Sequence, residues 1–358
     1  MKKSLALLLT LLLTVSLLSG CSPKSTVEAQ VSLRRETDIK VAFITDMGDI
    51  HDHGFNEDSY RGVQLFSEKK GAAYKYFQPK SEQEDDLLFA INEAIEEGYN
   101  VIVMAGHLFG RPCLKAARAN PNTLFLALAV TPADMGVGQP PQNVSLIIYR
   151  EEQAGFLAGY AAVADGYRDL GFLGGMAIDS VIRFGYGYVQ GAEKAAANLG
   201  LTDVKIKYWY SGSFLPSDEI REKMESWYEE GTEVIFSCGG AIYESVLEAA
   251  DSKDGKLIGV DIDQSYISPR FITSATKSLS NTVVMALTSA YENHMVWPGD
   301  YAGTCQSLGI ADDCVGLPME TSDFKCFDQE IYDMLCKALT RDSFIVENGC
   351  DPDRHPRT

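Results

Sequence analysis

Apolar residues along this chain fall into short unbroken runs, and between the runs they recur every three or four positions. Val41-Ala42-Phe43-Ile44 is the first run and predicts a strand covered on both faces. A loop of Asp, Gly and His follows. Then Tyr60, Val63 and Phe66 mark one face of a helix that opens on Asn56-Glu57-Asp58. Acidic residues suit that end, where free backbone N–H groups leave a partial positive charge. Further strands are predicted at Ala73–Phe77, Asn100–Met104, Thr123–Val130 and Val144–Tyr149, with helices at Glu82–Glu97 and Cys113–Ala119. The alternation then starts again. Helices are predicted at Glu151–Val163, Ser180–Leu199, Ser217–Glu230 and Ile242–Ala250, and strands at Leu170–Leu173, Val204–Trp209, Val234–Ser237, Leu257–Val260 and Ile272–Lys277. Small residues on one side of the Glu151–Val163 helix (Ala154, Gly155, Ala158, Gly159) permit close packing. Thr282–Asn293 and Asp328–Leu339 read as two last helices, Thr304–Ile310 with Cys314–Leu317 as a hairpin, and the polar tail as frayed.

Unbroken apolar strands alternating with helices predict parallel sheets covered on both faces, here as two doubly wound α/β lobes joined by a hinge. The lobes are expected over 38–149 plus about 268–296 and over 150–267 plus about 297–358, a length that suits two cores. Ligands in such folds bind outside the carboxyl ends of the strands and between domains. Four loops lie there: Asp46 to Asn56, Ala105 to Phe109 with Gly106, Cys238 to Ala241 with Gly240, and Asp261 to Gln264. Their carboxylates accept hydrogen bonds from vicinal hydroxyls or ring N–H groups, and Asn56 both donates and accepts. Phe55 and Phe184 offer aromatic faces to a planar ring, and Lys277 can donate to an oxygen or offset the acids. The set suits a sugar joined to a planar heterocycle. Each residue also has a plainer reading: Asp46 and Asp261 as turn or cap residues, both Phe as core, Lys277 as a solvated surface lysine.

Charge narrows the partners. The formal net charge is −19 and becomes two units more negative without Lys2 and Lys3, which argues against nucleic acid. Lys2-Lys3, the apolar stretch Leu5 to Leu18 and Leu18-Ser19-Gly20-Cys21 form a leader too short for a comfortable membrane span. Its end resembles the bacterial lipobox, which implies removal of 1–20 and a lipid on Cys21, with 21–37 as a flexible tether. Seven other cysteines remain, an odd number. Cys238 reads as a buried thiol, and the five after residue 300 allow one or two disulfides. Asp49-Ile50-His51-Asp52-His53 is a weak metal candidate, because adjacent loop residues rarely converge on one ion. No P-loop, GxSxG or GxGxxG is present, and no metal or cofactor is implied.

Several segments, in order, resemble the BMP (PnrA-like) family of ABC-transporter substrate-binding lipoproteins. ITDMGDIHDHGFNEDSYRG resembles the opening motif T-D-x-G-x-I-x-D-x-x-F-N, and EEQAGFLAGYAA resembles E-x-x-A-G-Y-L-A-G. LGFLGG with RFGYGYVQGA, the strand-end CGG, IGVDIDQSYISPRFITSATKS and SLGIADDCVGLP match further motifs. The resemblance implies a type I periplasmic-binding-protein fold that closes on a nucleoside-like ligand and hands it to a membrane permease. It assigns Asp46, Phe55 and Asn56 to the binding loop, Phe184 to the second stacking ring, and Gly240, Asp261 and Lys277 to the ribose. One departure concerns the base: the usual F-x-x-I-D at the fourth strand reads Phe125-Leu126-Ala127-Leu128-Ala129, so a recognising Asp is replaced by Ala129. A monomer on the extracytoplasmic face, lipid-anchored and making or breaking no bond, is the expectation. The rivals are a sensor serving a receptor and a nucleoside-processing enzyme, for which no acid–base set stands out.

Overall fold

The computed structural model describes residues 39–341 and 343–349. The leader, Cys21, the tether and Cys350 lie outside them. The described residues build two α/β lobes, each around a six-stranded sheet. The first lobe holds β1 (Lys40–Ile44), β2 (Ala73–Phe77), β3 (Val101–Ala105), β4 (Leu124–Leu128) and β5 (Val144–Tyr149). They are joined by α1 (Phe55–Lys70), α2 (Glu84–Glu96), α3 (Gly110–Ala119) and the short α4 (Pro132–Met135). The second lobe holds α5 (Glu151–Ala164), β6 (Asp169–Gly174), α6 (Asp179–Leu199), β7 (Lys205–Tyr210), α7 (Asp218–Glu229), β8 (Val234–Cys238), α8 (Tyr243–Lys253), β9 (Lys256–Asp261) and β10 (Phe271–Lys277). After these come α9 (Leu279–Glu292), β11 (Thr304–Leu308), β12 (Val315–Gly316) and α10 (Gln329–Thr340).

Both sheets have the same order, β2-β1-β3-β4-β5-β11 and β7-β6-β8-β9-β10-β12, and every pair is parallel except β10 with β12. The central strands β3, β4 and β8 are buried along their whole length, as apolar runs between two helical layers must be. The direction of winding reverses between β1 and β3 in one sheet and between β6 and β8 in the other. The loops that end these strands therefore splay apart and leave a crevice.

The late part of the chain departs from the sequence reading. β10 was expected in the first lobe but lies in the second sheet, beside β9. The expected hairpin does not form: β11 pairs with β5 and β12 with β10, so residues 309–314 cross between lobes. Each lobe's sheet is open at its edges, and local periodicity cannot say which edge will supply a strand's hydrogen bonds. The end of the described chain is not frayed either. Phe344 packs on Phe156, Val346 is buried, and Gln190 bonds the backbone of Glu347 through both amide atoms. Among the described residues the six cysteines are free, so the disulfides allowed for late in the chain are not formed there.

The closest helix contact positions the site. α5 is buried on every side from Glu151 to Val163. A Cβ at Gly155 or Gly159 would fall inside contact distance of the Phe184 or Tyr188 carbonyl oxygen. At Gly187 or Gly191 it would meet the Glu152 or Phe156 carbonyl. Four glycines thus let two backbones touch, and the contact holds the start of α6, with Arg183 and Phe184, against the start of α5. Elsewhere in a helix Gly→Ala stabilises by ~0.5–1 kcal/mol. Gly159→Ala is expected to do the opposite and cost about 1–3 kcal/mol, as overpacking does. A urea midpoint at or above that of the parent protein would reject the close approach.

α1 is started by a carboxylate three residues before it. Asp52 Oδ1 accepts from the N–H groups of Gly54 and Glu57 at 2.9 and 3.1 Å, and Oδ2 from the Asn56 N–H and amide at 3.0 and 3.1 Å. Burial nevertheless pushes Asp52 up to about 6, against the pull of those donors. The folded protein then holds this proton more tightly than the unfolded chain. Ionised Asp52 costs stability above pH 6, and the cost is relieved as pH falls toward the ordinary carboxylate range. Relative to Asp52→Ala, the parent protein should gain on the order of 3 kcal/mol between pH 7.5 and pH 4. Parallel unfolding curves across that range, or a gain toward alkaline pH, would refute the assignment.

Candidate ligand-binding site

β1 runs out at Ile44 and the chain turns through Thr45, whose hydroxyl donates to the Asp46 and Gly48 carbonyls. The turn aims Asp46 inward. Its Oδ1 accepts from the Gly48 N–H at 2.7 Å and the Asn56 amide at 2.9 Å. Gly48 is needed there, since a Cβ would sit 2.5 Å from the Asn56 amide nitrogen. Gly106, after β3, lies against Asp46 with ordinary contact, and its φ of 119° is what favours glycine there. Burial raises the Asp46 carboxyl above its ordinary value, and the Gly48 and Asn56 donors pull it back in part. With its amide group spent on Asp46 and Asp52, Asn56 keeps a buried Oδ1 that has no hydrogen-bond donor. Asp46, Asn56 and Gly106 thus form one cluster, on the first lobe.

The second cluster is built on Lys277, the last residue of β10. The sequence allowed a solvated lysine here, but its side chain is only 4% exposed. Its ammonium lies 2.9 Å from Asp261 Oδ1 and 3.7 Å from Glu151 Oε1. The rings of Phe55, Phe184 and Tyr149 stand 4.8, 5.4 and 5.6 Å away. Desolvation works against the charge, but the carboxylates of Asp261 and Glu151 outweigh it and raise Lys277 above the ordinary lysine value. Asp261 reaches its place at the end of β9 with φ 68°, a left-handed conformation that Asp tolerates better than most residues. Gln264 braces the turn by accepting from the Val260 N–H.

The lobes meet beside the second cluster, where Phe55 stands over the Lys277 ammonium. Phe55 belongs to the first lobe and Lys277 to the second. Gln264 donates to the His53 carbonyl at 3.0 Å, and Tyr266 meets the His53 ring at 3.1 Å. Beside these contacts a cavity of about 510 Å³ opens between His53, Arg61, Asp261, Tyr266, Lys277 and Ser280. Phe184 serves the cleft and the core together, with its edge on Phe236. At Gly240, φ 53°, a side chain would run into Phe214. Ala129 follows β4 at φ 55°, a conformation in which Asp is more at home than Ala.

Sequence reasoning passed over three members of the second cluster. Tyr149 reads as strand core. Glu151 reads as an ordinary acidic helix start, although a helix otherwise empty of charge behind Glu151-Glu152 was a signal. Arg183, which donates to Glu151 Oε2 at 2.6 Å while 7% exposed, has no local signature. No group of three or more His, Cys, Asp or Glu placed to hold a metal ion is found among the described residues, which include the Asp49–His53 loop.

Known proteins share this architecture. A family model described as ABC transporter substrate-binding protein, PnrA-like, matches residues 39–341. An ABC transporter nucleoside-binding protein, BmpA, of Lactococcus lactis subsp. cremoris is 27% identical over 95% of this chain and 96% of its own. An uncharacterized lipoprotein of Pyrococcus abyssi is 27% identical over 88% of this chain and 76% of its own. A solved ABC transporter solute-binding protein of Aeropyrum pernix superposes with a TM-score of 0.69 at 22% identity, covering 87% of this chain and 88% of that one, a likeness of fold. With the two-lobed fold and a match over most of its length, the chain belongs to the PnrA-like family of ABC transporter substrate-binding proteins.

Proposed function

We propose that this protein captures an uncharged ribosyl ligand, a nucleoside, between its lobes and presents it to a membrane permease, held to the outer face of the membrane by a lipid on Cys21. The observation that carries the reading is the buried Asp261–Lys277 pair flanked by Phe55 and Phe184. A carboxylate and an ammonium side by side can accept from one vicinal hydroxyl and donate to the other. Two aromatic faces suit the planar ring beyond. The balance of charge favours a neutral ligand. Asp46, Asp52, Glu151 and Asp261 outnumber Arg183 and Lys277, and Arg61 lines the cavity together with Glu57, Asp58 and Asp263, so a phosphate brought here would meet mostly like charge. The names of the Lactococcus and Pyrococcus relatives point the same way for ligand and anchor.

The same electrostatics argue for capture over catalysis. A lysine that works as a base or nucleophile needs its ammonium destabilised. Here two carboxylates stabilise it. Closure then follows from the ligand bridging both lobes and shifting the open–closed equilibrium. Replacement of the base-recognising Asp by Ala129 leaves the ribose end intact, so discrimination among bases is expected to be altered while ribosyl ligands are retained.

Calorimetry with inosine, guanosine, adenosine and uridine, and with their 5′-monophosphates and free bases, tests this. At least one nucleoside should bind, and its monophosphate and free base should bind more weakly. Asp261→Ala should lose at least about tenfold in affinity, the loss of a charge-assisted hydrogen bond of ~1.5–3 kcal/mol. Unchanged affinity in a folded Asp261→Ala protein would remove Asp261 from the site. A parent protein that takes only non-ribosyl ligands would end the nucleoside reading.

A further inference from the structure

Glu151 is fully buried, and its two oxygens face different cations. Oε2 accepts from Arg183 Nε at 2.6 Å. Oε1 lies 3.7 Å from the Lys277 ammonium and takes no hydrogen bond. Arg183, Glu151, Lys277 and Asp261 therefore form a line of alternating charge, each 7% exposed or less. The line runs through the joints of the molecule. Glu151 is the first residue of α5, directly after the chain crosses between lobes at Arg150. Lys277 is the last residue of β10, directly before the chain crosses back at Ser278. The third crossing is tied to the first, since the Ile310 N–H donates to Gln153 Oε1 at 2.9 Å and the Arg150 N–H to the Leu308 carbonyl at 2.8 Å. It is tied to the second by the Ser278 N–H, which donates to the Cys314 carbonyl at 2.9 Å.

We propose that Glu151 is a positioning residue for ligand capture: anchored by Arg183, it holds the Lys277 ammonium at the hinge and receives it when a ligand hydroxyl takes up Asp261. An ammonium must keep a counter-charge once it leaves water. Asp261 alone cannot serve both ligand and lysine without loosening one of them. The unfilled Glu151 Oε1 is the second acceptor within a short slide of the ammonium. Occupancy of the cleft is thereby coupled to a contact between two interlobe crossings. Glu151 never touches the ligand in this scheme. The inference rests on Asp261 and Lys277 as ligand contacts, and the ligand-free half of its test does not depend on which ligand binds.

The other groups around Lys277 are accounted for. Asp261 faces it from β9, the buried thiol of Cys238 from β8, and the rings of Phe55, Tyr149 and Phe184 from α1, β5 and α6. Asp58 adds like charge to Asp261. Glu151 is therefore the second acid holding the lysine charged, and its removal has a spectroscopic signature that general packing would not produce.

The experiment is an NMR titration of the Lys277 Nζ in ligand-free protein, parent against Glu151→Gln, paired with calorimetry using inosine. The parent lysine should stay charged beyond the ordinary lysine range. In Glu151→Gln its midpoint should fall by at least about one pH unit, as loss of a nearby opposite charge does. Inosine affinity at pH 7 should fall about tenfold and decline further toward alkaline pH in the variant alone. If Glu151→Gln does not fold, Glu151→Asp keeps the charge but shortens the reach, and its Lys277 midpoint should fall in the same direction by less. An unchanged Lys277 midpoint in a folded variant overturns the proposal. So does a lowered midpoint with unchanged inosine affinity. A parent protein that binds no nucleoside defeats the nucleoside reading instead, and the ligand-free midpoint still decides whether Glu151 positions Lys277.

Discussion

An ammonium taken out of water loses several kcal/mol of hydration, and the fold around Lys277 is arranged to return it. Asp261 and Glu151 supply opposite charge, and three aromatic rings supply polarisable faces. The second carboxylate would itself be uncompensated without Arg183. Bringing these groups together fixes much else. β9 must end in a left-handed Asp, β10 must stop at the hinge, and α5 must begin there. The start of α6 must lie close enough to α5 for Arg183 to reach Glu151, and the reciprocal glycine contacts allow that approach.

The lobes repeat one topology but divide the work. The first lobe contributes a loop whose acids are strapped by backbone and amide donors, leaving Asn56 Oδ1 as a buried acceptor. Its carboxyls, Asp46 and Asp52, are raised mainly by burial. The second lobe contributes paired charge, with Lys277 raised by its acids in spite of burial. A rigid polar cradle therefore faces a compensated ion pair, and Phe55 and Phe184 join them. Such a cleft recognises hydroxyls and a flat ring better than it recognises net charge.

The strands and helices were legible because each records its own burial within a few residues. β3 and β4 are apolar throughout since helices cover both faces, and α1 could be read from its acidic start and its 3.6-residue stripe. The loops at the strand ends followed from topology alone; Asp261 and Lys277 line the cavity with Phe55 beside them, and Asp46 and Asn56 bond to each other on the loop that leads into Phe55. Gly240 was singled out by resemblance, and a Cβ there would meet Phe214.

What the sequence by itself determined was the class of the fold, the order of its elements and most of the polar groups at its centre. Tertiary structure alone decided that β10 joins the second sheet, that β11 and β12 part to different lobes, and that the tail packs through Phe344 and Val346. It alone turned Lys277 from a plausible surface lysine into a buried one, and brought Glu151 and Arg183 to it. Periodicity and capping report interactions within a turn or two of chain. Which sheet edge accepts a strand, and which acid meets which base across more than a hundred residues, is settled by desolvation and geometry that exist only once the chain has folded.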